Sequence, residues 1–224
     1  MGANLVQSLF NSGAFATDSG PAAINADPLL APLAAYGGPT QTMALLPGSP
    51  ARNAAFGSLA TSDQRGFPIV GTADIGAYEA GTFTNFNAWS WETLPASASA
   101  AQHAAAFDFD GDGRSNLLEY ASQTDPAVPN GSNPVGFTRN ATGTLATIVM
   151  PYRFSAPDLF YALERSTALG GAWTTIATVN SATNGYTTLA GVAFAGNDAT
   201  TITFTDTFIA GQPKVFYRLR VTQQ

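Results

Sequence analysis

One twelve-residue stretch, residues 108–119, has the residue types and spacing of a loop that wraps a divalent cation. Its candidate ligands are the side chains of Asp108, Asp110, Asp112, Asn116 and Glu119 and the main-chain carbonyl of Arg114. Calcium suits such a set, because it is a hard cation that takes about six to eight oxygen ligands. Gly113 permits the sharp turn that a Cβ would obstruct. The sequence therefore predicts a Ca²⁺ site in this loop.

Other interpretations of the loop fit its residues less well. A solvated acidic turn without an ion would leave four carboxylates to repel one another. A paired EF-hand sensor needs a second loop and long flanking helices, and a dockerin needs two repeats and usually Asp in the twelfth position. A single loop of the thrombospondin type 3 or dockerin-like kind fits best. Leu117-Leu118-Glu119-Tyr120 followed by Asp125-Pro126 resembles its usual continuation in secreted bacterial proteins, where Asp125 is either a further ligand or the cap of the exit turn.

The composition excludes several classes of function. The chain has 224 residues, with 15 acidic and 9 basic side chains, a formal net charge of −6 and a single lysine, Lys214. It therefore lacks the basic surface that nucleic acid or an anionic membrane would require, and it has no apolar run of about 18 residues that would insert into a bilayer. The absence of cysteine excludes disulfides and thiolate sites. The single histidine, His103, is expected at the surface or at a helix end.

No set of residues outside the loop has the spacing of a catalytic or cofactor-binding site. The remaining acids are sparse, and the sequence has neither a Gly-rich phosphate loop nor a Ser-centred elbow. Asp63 with Arg65, and Asp74 with Glu79, are predicted to form ion pairs and turn hydrogen bonds that hold irregular backbone together. We therefore predict a protein that is not an enzyme.

Residues 1–81 are punctuated by turn residues and show no helical periodicity. The apolar pieces between the turns, such as Leu5-Val6 and Ala44-Leu45-Leu46, are too short to close a sandwich. They are suited to covering the open end of a stack of strands, which exposes unpaired backbone.

Five ordered segments within about residues 4 to 80 resemble the choice-of-anchor Q domain, found at the C-terminal end of secreted bacterial right-handed parallel β-helix proteins. These segments are Asp27-Pro28-Leu29-Leu30, Gly37-Gly38-Pro39-Thr40, Leu45-Leu46-Pro47-Gly48-Ser49-Pro50-Ala51, Asp63-Gln64-Arg65-Gly66 and Asp74-Ile75-Gly76-Ala77-Tyr78-Glu79. Met43 and Asn53 depart from the pattern, where a polar residue such as His and an Asp would be expected. Ala3-Asn4-Leu5-Val6 resembles the last rung of such a helix, so the resemblance implies that residues 1–81 form a β-helix cap.

Residues 82–130 are predicted to form a short helical linker that carries the calcium loop and rigidifies the link. Asn85-Phe86-Asn87-Ala88-Trp89 opens a helix that Pro95 ends. The alanine-rich residues 97–106 have the composition of a second, capped helix.

In residues 131–224, apolar and polar residues alternate with the period of two that is typical of strands with one buried and one solvent-exposed face. Strands are predicted at 145–152, 159–166, 173–179, 201–205 and 215–221, with a hairpin turn at Asn184-Gly185. Six or seven strands in about 90 residues favour an immunoglobulin- or fibronectin-like β-sandwich. Phe160-Tyr161-Ala162-Leu163-Glu164-Arg165-Ser166, Trp173-Thr174 and Phe216-Tyr217-Arg218-Leu219 resemble a small C-terminal β-domain of exported planctomycete- and verrucomicrobium-like proteins.

The sequence thus predicts a mainly β chain made of a cap, a calcium-binding linker and a sandwich. We expect a non-enzymatic, calcium-stabilised C-terminal module of a secreted or cell-surface bacterial β-helix protein that serves structure, adhesion or anchoring. Two alternatives stay open. One is an accessory module that binds polysaccharide through aromatic residues such as Trp91 or Tyr186, and the other is a self-assembling surface-filament subunit that adds strands at an open edge.

Overall fold

The computed structural model describes residues 5–6, 24–131, 133–154, 156–208, 210–212 and 214–224. The chain forms two compact units, Met1–His103 and Ala104–Gln224. The stretch predicted as one linker, residues 82–130, therefore contributes a helix to the first unit and the acidic loop to the second. The described secondary structure is mainly β, as the sequence predicts.

The described residues of the first unit contain little regular structure. Its strands β1 (Leu5–Val6) and β2 (Ile24–Asn25) pair in parallel over two residues. Ala3 and Asn4 of the predicted rung lie outside the described residues. Isolated antiparallel bridges, such as Ala34 with Thr42, follow β2, in keeping with the many turn residues. A β-helix cap remains a prediction for this unit.

A buried arginine holds the irregular backbone of the first unit, as predicted. Arg65 donates from Nε to Asp63 Oδ2 at 2.8 Å and from Nη2 to the carbonyl of Glu79 at 2.6 Å. Its Nη1 donates to the carbonyls of Tyr36 and Thr82, both at 3.2 Å. One guanidinium thus bonds three main-chain carbonyls. In a helix or a sheet, such carbonyls would accept hydrogen bonds from main-chain nitrogens instead.

Asp74 and Glu79 also act through turn hydrogen bonds, as predicted. Asp74 accepts from the main-chain nitrogens of Asn53 and Ala80, both at 2.6 Å, and its own nitrogen donates to Glu79 at 3.0 Å. Asn53 has a φ of 53°, a left-handed conformation that Asn tolerates better than most residues. These contacts give both acids a structural role.

Helix α1 (Phe86–Thr93) confirms the first predicted helix. The Asn85 side chain caps it by accepting from the nitrogen of Ala88 at 2.8 Å, and it ends before Pro95. The second predicted helix, residues 97–106, is wrong, since only a 3₁₀ turn at Ala100–His103 forms there. The carbonyls of Ala104 and Ala105 accept from Asn116 and Leu117 instead of supporting a longer helix.

In its described residues, the second unit consists of the acidic loop, helix α2 (Asn116–Ser122) and eight strands. The strands are β3 (Gly136–Arg139), β4 (Ala146–Pro151), β5 (Leu159–Ser166), β6 (Thr174–Asn180), β7 (Gly185–Thr188), β8 (Val192–Asn197), β9 (Thr201–Asp206) and β10 (Phe216–Gln223). They form two four-stranded antiparallel sheets, ordered β10-β5-β6-β7 and β3-β4-β9-β8. The sequence predicted six or seven strands and gave ranges for five of them, so β3, β7 and β8 are the strands for which it gave no range.

The predicted alternation places the core residues of the sheets. In β9, Ile202 and Phe204 are buried while the threonines between them are half-buried. Asn184, with a φ of 53°, lies in the turn between β6 and β7, which confirms the predicted hairpin.

A buried ion pair joins the two sheets. Arg165 of β5 donates from Nη1 to both carboxylate oxygens of Asp206 of β9, at 2.7 and 2.8 Å. The Tyr217 hydroxyl of β10 donates to the same carboxylate at 2.9 Å. Because Asp206 is fully buried, its charge depends on these partners.

We expect Arg165→Met to lower the free energy of unfolding by about 3 to 5 kcal/mol, because it leaves the Asp206 carboxylate buried without its cation. Arg139→Met serves as the control, because Arg139 lies in the exposed strand β3, and its loss should cost under about 1 kcal/mol. Urea denaturation of the two variants measures both values. A similar, small loss in both would contradict the role assigned to the Arg165–Asp206 pair.

Candidate metal centre

The acidic loop gathers three of the predicted ligands. Asp108, Asp110 and Asp112 each offer one carboxylate oxygen within 4.8 Å of the others, and all three side chains are half-buried. Carboxylates at such separations repel one another unless a cation or hydrogen-bond donors lie close by.

Main-chain donors shape the loop around these acids. The nitrogens of Gly111 and Gly113 both donate to Asp108 at 2.8 Å, and the nitrogen of Arg114 donates to Asp112 at 2.8 Å. Gly113 has a φ of 93°, so the turn requires the conformation that glycine adopts without strain. The sequence pattern therefore predicted this bend correctly.

Helix α2 begins directly after the loop and carries the last predicted ligands. Ser115 caps it by accepting from the nitrogen of Leu118 at 3.4 Å, and Gln123 ends it in a left-handed conformation. Asn116 and Glu119, in the first turn, are both fully buried. The Asn116 side chain donates from Nδ2 to the carbonyl of Ala104 at 3.1 Å, which fixes the orientation of its amide.

Glu119 is a buried carboxylate with one oxygen that lacks a partner. Its Oε1 accepts from Asn130 Nδ2 at 3.2 Å and from Thr124 Oγ1 at 3.4 Å. Its Oε2 is buried and has no hydrogen-bond partner among the described residues, and the same is true of Asp110 Oδ2. Burial raises the pKa of Glu119 to about 7, with further contributions from the negative charges of Asp110 and Asp112.

The structure brings some of the predicted ligands together and leaves others apart. It brings the three aspartates together, whereas Glu119 lies outside that 4.8 Å group but close enough to sense the charges of two of them. The main-chain nitrogen of Arg114 contacts Asp112, and a role for its carbonyl stays a prediction. Asp125 caps the exit turn by accepting from the nitrogen of Ala127 at 2.9 Å, which fits the second of its two predicted roles.

The sequence pattern missed Asn130. Its main-chain nitrogen donates to Asp112 Oδ2 at 2.7 Å, and its side chain donates to Glu119, so it connects the middle of the loop to its last residue. It also accounts for much of the lowered pKa of Asp112. The one available signal was the turn dipeptide Asn130-Gly131, which lies eleven residues beyond the motif and carries no metal-binding pattern.

Hydrogen bonds among the described residues join helix α2 and its C-cap to strand β5 and to the segment between β4 and β5. The Tyr120 hydroxyl donates to Asp158 Oδ1 at 3.2 Å, and the Arg153 Nε donates to the Tyr120 carbonyl at 2.7 Å. Tyr161 and Gln123 complete the contact, donating to the carbonyls of Ala121 and Tyr152 at 3.3 and 3.1 Å. The acidic loop is therefore part of the same compact unit as the two sheets.

Other residues that might have carried chemistry have structural roles. His103 ends the 3₁₀ turn, as expected, but it is buried and not at the surface. Its Nδ1 lies 3.0 Å from Ser90 Oγ, and its ring stacks on Trp91 with centroids 3.6 Å apart. Burial lowers the pKa of His103. Trp89 is buried 5.7 Å from the Phe86 ring, and the face of Trp91 against His103 is closed to a sugar.

Comparisons with known proteins give no family for this chain. No family model matches it, and no curated protein matches it. Among solved structures, the chain is similar to a strand-swapped CTLA-4 from duckbill platypus, with 16% sequence identity, a TM-score of 0.26, and coverage of 42% of this chain and 83% of that chain. At that TM-score the likeness carries no argument about this protein. No helix in the described part of the chain is long and apolar enough to cross a membrane.

The raised pKa of Glu119 predicts a pH dependence of stability in the absence of divalent cations. The folded carboxyl group, with a pKa of about 7, binds its proton more tightly than the unfolded chain, where the value is near 4.5. The tighter binding of the proton therefore stabilises the folded state fully below pH 4.5, and this stabilisation is lost as the pH rises through about 7.

Urea denaturation in EDTA at several pH values measures this effect, with Glu119→Gln as the control. The unfolding free energy of the native chain should fall relative to that of the variant as the pH rises from 4.5 to 7. A difference that does not vary with pH would show that Glu119 titrates normally.

Proposed function

We propose that this chain is a calcium-stabilised, non-enzymatic C-terminal module of a secreted or cell-surface bacterial β-helix protein, which serves structure, adhesion or anchoring. The observation that carries the calcium part of the proposal is the fully buried Glu119, whose Oε2 has no hydrogen-bond partner among the described residues and which lies near three clustered aspartates. A buried carboxylate oxygen without a partner costs more than the about 1 to 3 kcal/mol typical of neutral groups. A cation bound in the loop would remove that cost.

The donor set favours a hard cation. Asp108, Asp110, Asp112 and Glu119 provide carboxylate oxygens, and Asn116 provides an amide oxygen, whereas no thiol or imidazole lies among the predicted ligands. Calcium accepts a flexible shell of about six to eight oxygens. Magnesium requires a near-ideal octahedron and usually retains several waters, so a loop with this many oxygen donors suits calcium better.

The proposed ion would act on the sandwich unit through helix α2. Glu119 and Asn116 lie in the first turn of α2, and Tyr120, the next residue, is bonded to Asp158 and Arg153 near the sheets. An ion that binds the folded loop and not the unfolded chain stabilises the folded state by mass action. Modules of the extracellular space work with weak calcium affinities, which is consistent with an exported protein.

The proposal of a β-helix parent and an exported location is supported by resemblance alone. The ordered motifs within about residues 4 to 80 resemble the choice-of-anchor Q domain, and the sandwich would then be an immunoglobulin- or fibronectin-like module that follows it. In this arrangement the first unit would cap a solenoid, and the second unit would be available for contact or anchoring.

We expect calcium to raise the melting temperature by about 5 to 10 °C relative to EDTA, which corresponds to about 2.7 kcal/mol at a calcium concentration one hundred times the dissociation constant. Asp112→Ala should abolish this response, because it removes one of the three clustered carboxylates. Differential scanning calorimetry measures both melting temperatures.

Asp198→Ala is the matched control for the calcium response. Asp198 is an exposed aspartate that also bonds main-chain nitrogens of its turn, at Thr200 and Thr201, but it lies outside the acidic loop. This variant should keep the full calcium shift. An equal melting temperature in calcium and in EDTA for the native chain would refute the structural ion.

Carbohydrate binding is a second candidate, favoured by one exposed aromatic pair in the second unit. Tyr186 of β7 is 49% exposed and stacks on Phe194 of β8, with ring centroids 4.6 Å apart and an interplanar angle of 18°. Phe194 and Phe204 support the tyrosine from within the unit. A flat ring held in this way is able to stack on a sugar ring.

If Tyr186 forms a sugar platform, retention on a polysaccharide affinity gel should disappear in Tyr186→Ala and persist in Tyr186→Phe, since stacking needs the ring and not the hydroxyl. Phe137→Ala, which removes another exposed aromatic ring of the same unit, should not change retention. Equal migration of the native chain and Tyr186→Ala on every gel tested would exclude this candidate.

A further inference from the structure

The outer edge of strand β10 differs from the other sheet edges of the second unit. Each sheet has two end strands, and β10 is the longest of the four, with eight residues against four in β7, four in β3 and six in β8. It pairs with β5 over all eight residues without a register shift, whereas β8 carries one between Phe194 and Gly196. A long, regular edge is the kind that accepts another strand.

The main chain of β10 has backbone hydrogen bonds on the side of β5. Among the described residues, no backbone hydrogen bond joins residues 216–223 to any segment other than β5. In an antiparallel strand, alternate residues direct their N–H and C=O groups to opposite sides. About half of the polar main-chain groups of β10 therefore face away from the sheet.

A groove runs along β10 on the side of helix α2. It consists of two adjoining cavities of about 380 and 190 Å³, which share Leu118, Arg218 and Leu219 in their walls. Leu117 and Val221 also line it, so its walls are largely aliphatic. A strand edge beside a helix, with aliphatic pockets between, is a recurrent site for extended peptides.

The charged residues of the groove are two arginines held in place by one acid. Arg218 and Arg220 donate from Nε to Glu164 at 2.7 and 3.1 Å, and Glu164 is almost fully buried. The arginine side chains are 48% and 49% exposed, and the Arg218 guanidinium lies over the Trp173 ring, 4.3 Å from its centroid. Two positive charges against one negative charge leave a local excess that favours an acidic ligand.

We infer that the outer edge of β10 binds an extended acidic peptide segment of a partner protein, which adds to the sheet as a further strand with its carboxylates at Arg218 and Arg220. This inference does not depend on the calcium proposal. The main-chain groups of β10 that are not bonded to β5 favour a peptide over a polysaccharide, because a peptide can form a backbone hydrogen-bond ladder with them and a polysaccharide cannot. A second copy of the chain is disfavoured as the partner. Pairing β10 with β10 would bring Arg218 and Arg220 of both chains together, and like charges on adjacent strands repel.

The probe that tests the inference is an acetylated and amidated eight-residue peptide of alternating Val and Glu, matched to the length of β10. Fluorescence anisotropy with the full chain in saturating calcium should show saturable binding. A twin with Lys in place of Glu should bind at least about tenfold more weakly. A second twin, N-methylated at alternate residues, should not bind, because it retains the side chains but cannot form the ladder.

The variant Arg220→Gln should weaken binding of the acidic probe about tenfold, whereas Arg139→Gln, on the other sheet, should leave it within about twofold. Calorimetric melting confirms that both variants fold, and the two peptide twins test the inference without altering the protein. Hydrogen exchange should slow in residues 216–223 when the acidic probe binds.

Three results would overturn the inference. Equal affinity for the N-methylated twin would exclude strand addition, and stronger binding of polygalacturonate at the same arginines would identify a polysaccharide site. Sedimentation equilibrium showing that the free chain is a dimer with residues 216–223 protected would assign the edge to a second copy.

Discussion

The main constraint on the second unit is the buried carboxylate of Glu119, whose negative charge is not fully compensated by hydrogen-bond donors among the described residues. Glu119 is fully buried in the first turn of α2, with one oxygen bonded to Asn130 and Thr124 and the other without a partner among the described residues. Burial of a charged oxygen is unfavourable unless a proton or a cation compensates it. In the absence of a cation the group holds its proton up to a pH of about 7. The proposed calcium ion would replace that proton and let the loop keep its shape at neutral pH.

The position of α2 explains why a small loop could affect a whole unit. Tyr120 follows Glu119 directly, is fully buried, and contacts Asp158 and Arg153. Any loosening of the first turn of α2 therefore reaches contacts with the sheets. In the first unit, the Arg65 guanidinium connects separate turns by donating to three main-chain carbonyls.

Strongly local patterns were predictable from the sequence, whereas contacts between distant residues were not. The alternation in β9, the start of helix α1, the turn at Asn184-Gly185 and the bend at Gly113 each depend on a few adjacent residues. The helix expected at residues 97–106 failed because the carbonyls of Ala104 and Ala105 bond to residues twelve positions ahead. Asn130 was missed for the same reason, and the burial of His103 depends on Ser90 and Trp91 in another element.

Equilibrium dialysis with metal analysis by mass spectrometry tests whether the acidic loop binds calcium, because it counts bound ions independently of stability. We expect one calcium ion per chain at neutral pH, selectivity over magnesium, and loss of the ion in Glu119→Gln, which keeps the size of the side chain and removes its charge. A chain that retains no calcium at millimolar concentration, or a variant that binds as much calcium as the native chain, would contradict this expectation.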